Sequence, residues 1–159
     1  MTDGERIVAA LIERGLTIAV AESLTGGMLV AELIATPGAS AAVLGGVVAY
    51  NTELKNRVIG VDAQLLAEHG AVHPEVARQM ADRVRSALAV SAGPADIGIS
   101  TTGVAGPDPQ DGQPVGTVYL GFAIGGEVHA TRLHLSGSRA DIRSAAVSES
   151  LSELARILG

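Results

Sequence analysis

The stretch Leu16-Thr17-Ile18-Ala19-Val20-Ala21-Glu22-Ser23-Leu24-Thr25-Gly26-Gly27-Met28-Leu29-Val30-Ala31-Glu32-Leu33-Ile34 decides the fold. An apolar run leads in and a helical pattern, Met28 to Ile34, leads out, with two hydroxyls and two glycines between them. That order predicts a strand, a tight turn and a helix. In an open α/β sheet, ligands bind at the carboxyl ends of strands. Helix N-terminal amides favour anions, and glycines let a ligand approach the backbone. Ser23 at this turn is either a nucleophile or only a helix cap, and the stretch itself does not choose.

Working outward, Thr2 and Glu5 form a capping box for a first helix with Ile7, Val8, Leu11 and Ile12 on one face, stopped at Gly15. The first strand spans about Leu16–Ala21, and the second helix runs to about Ala35, before Pro37. Leu44 to Tyr50 reads as a buried strand, and Asn51 to Ile59 as a short helix capped by Asn51 or Thr52. Asp62 to Glu68 is another short helix. His73-Pro74-Glu75 opens a longer one, striped by Val76, Met80, Val84 and Leu88. Asp96 to Ser100 is a strand. Val115–Ile124 and Glu127–Leu135 form a hairpin around Gly125-Gly126. Ser138 caps a last helix that buries Ile142, Ala145, Ala146, Leu151, Leu154 and Ile157. Alternating strands and helices followed by a hairpin predict an α/β fold, a three-layer α/β/α domain over residues 1–159. Its sheet is mixed and mostly parallel, with a late antiparallel hairpin.

The chain has 159 residues, 47% of them apolar, with two Tyr, one Phe and no Trp. Scarce aromatics argue against recognition by base stacking, and a net charge of −6 argues against a nucleic-acid partner. The absence of cysteine rules out disulfides and a thiolate zinc site. No apolar stretch is long enough for a membrane span, and the acidic start lacks a signal-peptide pattern, so a cytoplasmic location without a membrane partner is expected.

Three segments of small, hydroxyl and charged residues follow strands: Ser23 to Gly27, Tyr50 to Lys55, and Thr102 to Pro107. If those strands are parallel, the loops gather at one sheet edge. A buried lysine beside a serine can act as its base, because desolvation favours the neutral amine. Lys55 is therefore either that base or a solvated helix lysine. Amides near Gly26-Gly27 or Gly103 to Gly106 could hold an oxyanion. Tyr50 either positions the pair or packs at a strand end, and Glu22 reads best as an arginine partner. No nucleotide-binding glycine fingerprint is present. His69, His73, His129 and His134 lack ligand spacing, so no metal is expected. Arg139 and Arg143 read as surface residues that a substrate phosphate could recruit.

Six segments occur together in order: Ala21-Glu22-Ser23-x-Thr25-Gly26-Gly27, Tyr50-Asn51-x-x-x-Lys55, Ile59-Gly60-Val61, His69-Gly70-Ala71-Val72, Thr102-Gly103-Val104-Ala105-Gly106-Pro107 and Pro114-Val115-Gly116-Thr117-Val118. Over nearly the whole chain they resemble the CinA C-terminal domain family, whose stand-alone members include nicotinamide-nucleotide amidohydrolases. The resemblance implies an α/β/α fold and hydrolysis of nicotinamide mononucleotide to nicotinate mononucleotide and ammonia, without a cofactor, in pyridine-nucleotide recycling. It implies Ser23 as nucleophile, Lys55 as base acting directly or through Tyr50, and Tyr50 and Thr102 as nearby catalytic hydroxyls. It implies Thr25, Gly26, Gly27, Gly103, Ala105 and Gly106 as substrate-binding, with the substrate phosphate on helix N-terminal amides. A homo-oligomer is expected. The alternative is a catalytically silent nucleotide-binding or assembly module. Leu24 stands where many members have cysteine, Pro109 interrupts a run that is often glycine-rich, and His73 stands where serine is usual, which predicts a weaker helix cap.

Overall fold

The computed structural model describes residues 1–159. In chain order its elements are α1 (Asp3–Arg14), β1 (Ile18–Glu22), α2 (Met28–Ile34), β2 (Val43–Val48), α3 (Thr52–Leu54), α4 (Ala63–His69), α5 (Pro74–Ala87), β3 (Ile97–Gly103), β4 (Thr117–Ile124), β5 (Glu127–His134) and α6 (Arg139–Leu158). The five strands form one sheet in the order β2-β1-β3-β4-β5. β1 pairs parallel with β2 and β3, while β4 runs antiparallel to both β3 and β5. The predicted mixed sheet with a late hairpin is therefore the architecture.

Each sheet face is covered by its own core. On one side Ile7, Leu11, Leu29, Leu33, Ile142 and Leu154 of α1, α2 and α6 pack with Ile18, Val20, Ile99 and Phe122. On the other, Val76, Met80 and Val84 of α5 pack with Ala19, Ala21, Ile59 and Val61. These are the three layers.

The stripe on α5 is close to the one expected, and its cap is stronger than expected. His73 holds the N-cap position and its Nδ1 accepts from the Glu75 N–H at 3.1 Å, so the imidazole does the work of the usual serine. α5 lies unusually near the sheet. A Cβ at Gly98 would stand 1.8 Å from the Ala81 carbonyl oxygen, and one at Gly121 would stand 2.1 Å from that of Ala77.

Two expectations change. The segment read as a buried strand is β2, an edge strand paired on one side only, with Gly46 and Val48 exposed. Its apolar composition reflects something other than two strand neighbours. The helix expected from Asn51 to Ile59 is one short turn of α3, capped by the Asn51 side chain, which continues as a π-helical turn over Lys55–Ile59. Such wide turns re-aim side chains and recur at functional sites. This one begins at Lys55, which is buried at 1% exposed.

Gly98→Ala is expected to destabilise the protein by about 1–3 kcal/mol, because α5 must move off the sheet. A urea-unfolding midpoint lowered at constant slope would show it.

Candidate active site

β1, β2 and β3 point the same way, so the turns that follow them meet at one sheet edge. There they line a cavity of about 300 Å³. Its wall includes Ser23, Leu24, Tyr50, Asn51, Thr102, Gly103, Ala105, Gly106, Asp108 and Arg139.

Lys55 Nζ lies 2.9 Å from Ser23 Oγ, 2.8 Å from the Ala49 carbonyl oxygen and 3.3 Å from that of Tyr50. The two carbonyls can only accept, whereas the serine hydroxyl can also donate. A neutral amine has two hydrogens and one lone pair. Giving the hydrogens to the carbonyls leaves the lone pair for the Ser23 O–H. Burial pushes the Lys55 pKa down from 10.5 to about 8, against the pull of the Asp111 carboxylate, which raises it. The neutral form is thus within reach near neutral pH.

The Tyr50 hydroxyl is turned away from this pair and accepts from the Arg139 guanidinium at 3.0 Å. Lys55 therefore meets Ser23 without an intervening phenol. The Thr102 hydroxyl faces the α4–α5 connection and donates to the Ala71 carbonyl at 2.8 Å, which fixes one wall of the cavity. Gly103, Ala105 and Gly106 line the cavity, whereas Thr25, Gly26 and Gly27 lie outside the lining.

The reason lies in Glu22, the buried last residue of β1. Its carboxylate accepts from the Thr25 hydroxyl at 2.6 Å and from the N–H groups of Gly27, Leu29 and Val30 at 2.9, 3.1 and 2.8 Å. Glu22 is not an arginine partner. It fills the positive N-terminus of α2, so those amides are not available to a substrate phosphate. Thr101 completes the turn: its Oγ1 is 2.8 Å from the Thr25 hydroxyl, and its carbonyl accepts from the Ser23 N–H at 3.1 Å. Neither this role of Glu22 nor Thr101 was singled out from sequence, because backbone amides that receive a carboxylate leave no mark in it.

Arg139, exposed as expected, and Arg143, half-buried, stand one turn apart on α6 and both reach loops of the site. Arg139 donates to the Gly106 carbonyl and Arg143 to the Leu24 carbonyl, the latter at 2.8 Å. One helix thereby ties the Ser23 turn to the loop after β3. Their four-residue spacing was the available signal. Asp111 was missed altogether. It accepts from the Ala71 N–H at 2.9 Å and is the one non-glycine residue at positive φ, 51°.

The N–H groups of Leu24, Thr25, Ala105 and Gly106 donate to no acceptor in the protein. Leu24 and Thr25 directly follow Ser23, and the other two stand in the opposite wall. No three His, Asp or Glu side chains converge on a metal-sized site, and no helix is long and apolar enough to cross a membrane.

Comparison with known proteins identifies the family. The family model of the CinA C-terminal domain matches residues 2–158. A putative competence-damage inducible protein of Geobacillus kaustophilus is 52% identical over 84% of this chain and 31% of its own length. A CinA-like protein of Frankia casuarinae is 47% identical over 96% of this chain and 34% of its own. The chain thus spans about a third of the length of these curated relatives. The crystal structure of a CinA superfamily protein from Klebsiella pneumoniae superposes with a TM-score of 0.90 at 33% identity, over 98% of this chain and 95% of that one. One from Escherichia coli superposes with a TM-score of 0.89 at 29% identity, over 98% and 90%.

Two outcomes follow from these contacts. Glu22→Ala orphans several buried donors and is expected to cost about 3 kcal/mol or more, seen as a melting temperature lowered by roughly 6 °C or more. Asp111→Asn keeps an acceptor for Ala71 but removes the charge that raises the Lys55 pKa, so side-chain NMR should find Lys55 titrating at lower pH than in the unmodified chain.

Proposed function

The chain belongs to the CinA C-terminal domain family, and from that premise we propose that it is a serine–lysine amidohydrolase that converts nicotinamide mononucleotide to nicotinate mononucleotide and ammonia. The observation that carries the reading is the buried Lys55 amine, 2.9 Å from Ser23 Oγ with its other two contacts on carbonyl oxygens.

In the proposed cycle neutral Lys55 takes the Ser23 proton as Oγ bonds to the carboxamide carbon. Among the free amides at the cavity, those of Leu24 and of the facing loop at Ala105 and Gly106 stabilise the oxyanion. The C–N bond then breaks, and the Lys55 ammonium returns the proton to the departing nitrogen, which leaves as ammonia. Water, deprotonated in turn by Lys55, hydrolyses the acyl-serine ester and regenerates the hydroxyl. The cationic pyridinium ring withdraws electrons from the amide and makes its carbon a better electrophile. Arg139 is the one cationic side chain in the cavity lining. It takes the substrate phosphate in place of the α2 amides that Glu22 occupies, so a chain of net charge −6 can hold an anion locally.

A base that must be neutral gives a defined pH dependence. kcat/KM rises with pH through a limb near 8, the value to which burial lowers Lys55. The same burial opposes folding. Below pH 8 the folded chain must hold a cation that the unfolded chain holds more easily, at roughly 3 kcal/mol, and this cost disappears as pH rises toward 10.5. Lys55→Met is therefore expected to abolish turnover while leaving the fold at least as stable at pH 7.

Ammonia release from nicotinamide mononucleotide by the unmodified chain, Ser23→Ala and Lys55→Met tests the reading. Turnover by the unmodified chain, with losses of about 10²-fold or more in each variant, supports it. Full activity in Ser23→Ala removes the nucleophile assignment. Calorimetric binding of the mononucleotide without turnover would point instead to a silent nucleotide-binding module.

A further inference from the structure

The cavity wall holds two opposite charges that do not neutralise each other. Arg139 is its one cation and Asp108 its one carboxylate. Arg139 donates to the Gly106 carbonyl and to the Tyr50 hydroxyl. Asp108 is exposed, and none of the five ion pairs of the chain involves it. The nearby Gln110 amide turns to Asp111 instead, at 3.4 Å. The carboxylates of Glu22 and Asp111 are taken by backbone amides. That of Asp108 is left without a partner in the protein.

Asp108 is also fixed in place. Pro107 precedes it with a locked φ, and Pro109 restricts Asp108 itself to extended conformations. The loop is tied on both sides, by the Gly106 carbonyl to Arg139 and by the Asp111 carboxylate to the Ala71 N–H. Gln110 and Gln113 close the Asp111-Gly112 turn with paired backbone bonds of 3.1 and 2.8 Å. A free carboxylate on a fixed backbone is a preorganised contact.

For a plain anion this aspartate is a defect. The chain already carries a net charge of −6, and a carboxylate in the wall of a phosphate site adds repulsion. A sugar diol could bond to the carboxylate but would leave that repulsion in place. A ligand with its own positive charge removes it.

We infer that Asp108 is a specificity residue that reads the positive charge of the pyridinium ring. The cavity then selects a zwitterion, cationic at the ring and anionic at the phosphate, over neutral aromatic amides of the same shape. The inference rests on the proposed substrate. Asp108 stands two residues past Gly106, one of the amides assigned to the oxyanion. Two residues of chain span about 7 Å, enough to pass from a carboxamide across its ring. Tyr50 adds to the same preference. It is the one aromatic side chain of the lining, 61% exposed, with its hydroxyl held by Arg139, and aromatic faces attract cations. The ring charge that is recognised is also the charge that activates the amide, so binding and reactivity select the same compound.

The test reads binding by calorimetry in Ser23→Ala, which holds the substrate without consuming it. The probes are nicotinamide mononucleotide and the 5′-phosphate of benzamide riboside, its neutral, carbon-linked counterpart. The mononucleotide should bind more tightly. The ratio of the two dissociation constants should fall about 3- to 5-fold when Asp108→Asn is added, and further with Asp108→Lys. Taking the ratio cancels any effect on the shared phosphate, and unchanged circular dichroism checks the fold. In the chain with Ser23 intact, Asp108→Asn should raise KM for the mononucleotide and leave kcat nearly unchanged. An unchanged ratio overturns the inference. So does equal weakening of both compounds, which a ribose contact would give, a loss in kcat rather than in KM, or no binding of either compound. The substrate reading fails separately: charge-selective binding that depends on Asp108, without ammonia release by the unmodified chain, leaves the inference standing and removes the hydrolase.

Discussion

A lysine amine held out of water between two carbonyl oxygens and one serine hydroxyl sets the terms for the rest of this structure. Left as a cation, it costs the fold free energy at neutral pH. Made neutral, it has a lone pair with one natural partner, the Ser23 hydroxyl. To create that arrangement the chain ends β2 at Val48, turns through Ala49 and Tyr50 so that both carbonyls face Lys55 Nζ, and sets Lys55 where α3 passes into the π-helical turn.

A second constraint shapes what the cavity can accept. Helix α2 begins just after the Ser23 turn, the position where many α/β proteins bind phosphate. Here the Glu22 carboxylate already occupies those amides. The turn is rigid for that reason, since one carboxylate binds Thr25 and three amides together. In the proposed reading the anionic group of the substrate goes to Arg139 instead, the one cationic side chain in the cavity lining. The two arginines of α6 then join the Ser23 turn to the loop after β3, so the position of α6 sets the width of the site.

Much of this was legible in the sequence, for identifiable reasons. The change from an apolar run to a 3.6-residue period around Ser23 fixed a strand, a turn and a helix, and parallel neighbours then required three loops at one edge. Ser23 and Lys55 could be named as candidates because their residue types follow from the chemistry. Their contact could not be read, because the two residues stand 32 positions apart with no periodic link between them. β2 was misread as buried because an apolar strand reads the same at the edge of a sheet as in its interior. Glu22 was assigned an arginine because backbone amides carry no residue code. The bond from Ala71 to Asp111 spans forty residues with no periodic link between them.

The central claim is that Lys55 makes Ser23 a nucleophile toward a carboxamide. The most direct measurement is the intact mass of the protein after acid quench during turnover of nicotinamide mononucleotide. The account predicts an adduct equal to the substrate minus ammonia, mapped to Ser23, and absent from Ser23→Ala and Lys55→Met. Ammonia release with no adduct at any quench time, or an adduct mapped to another residue, would contradict it.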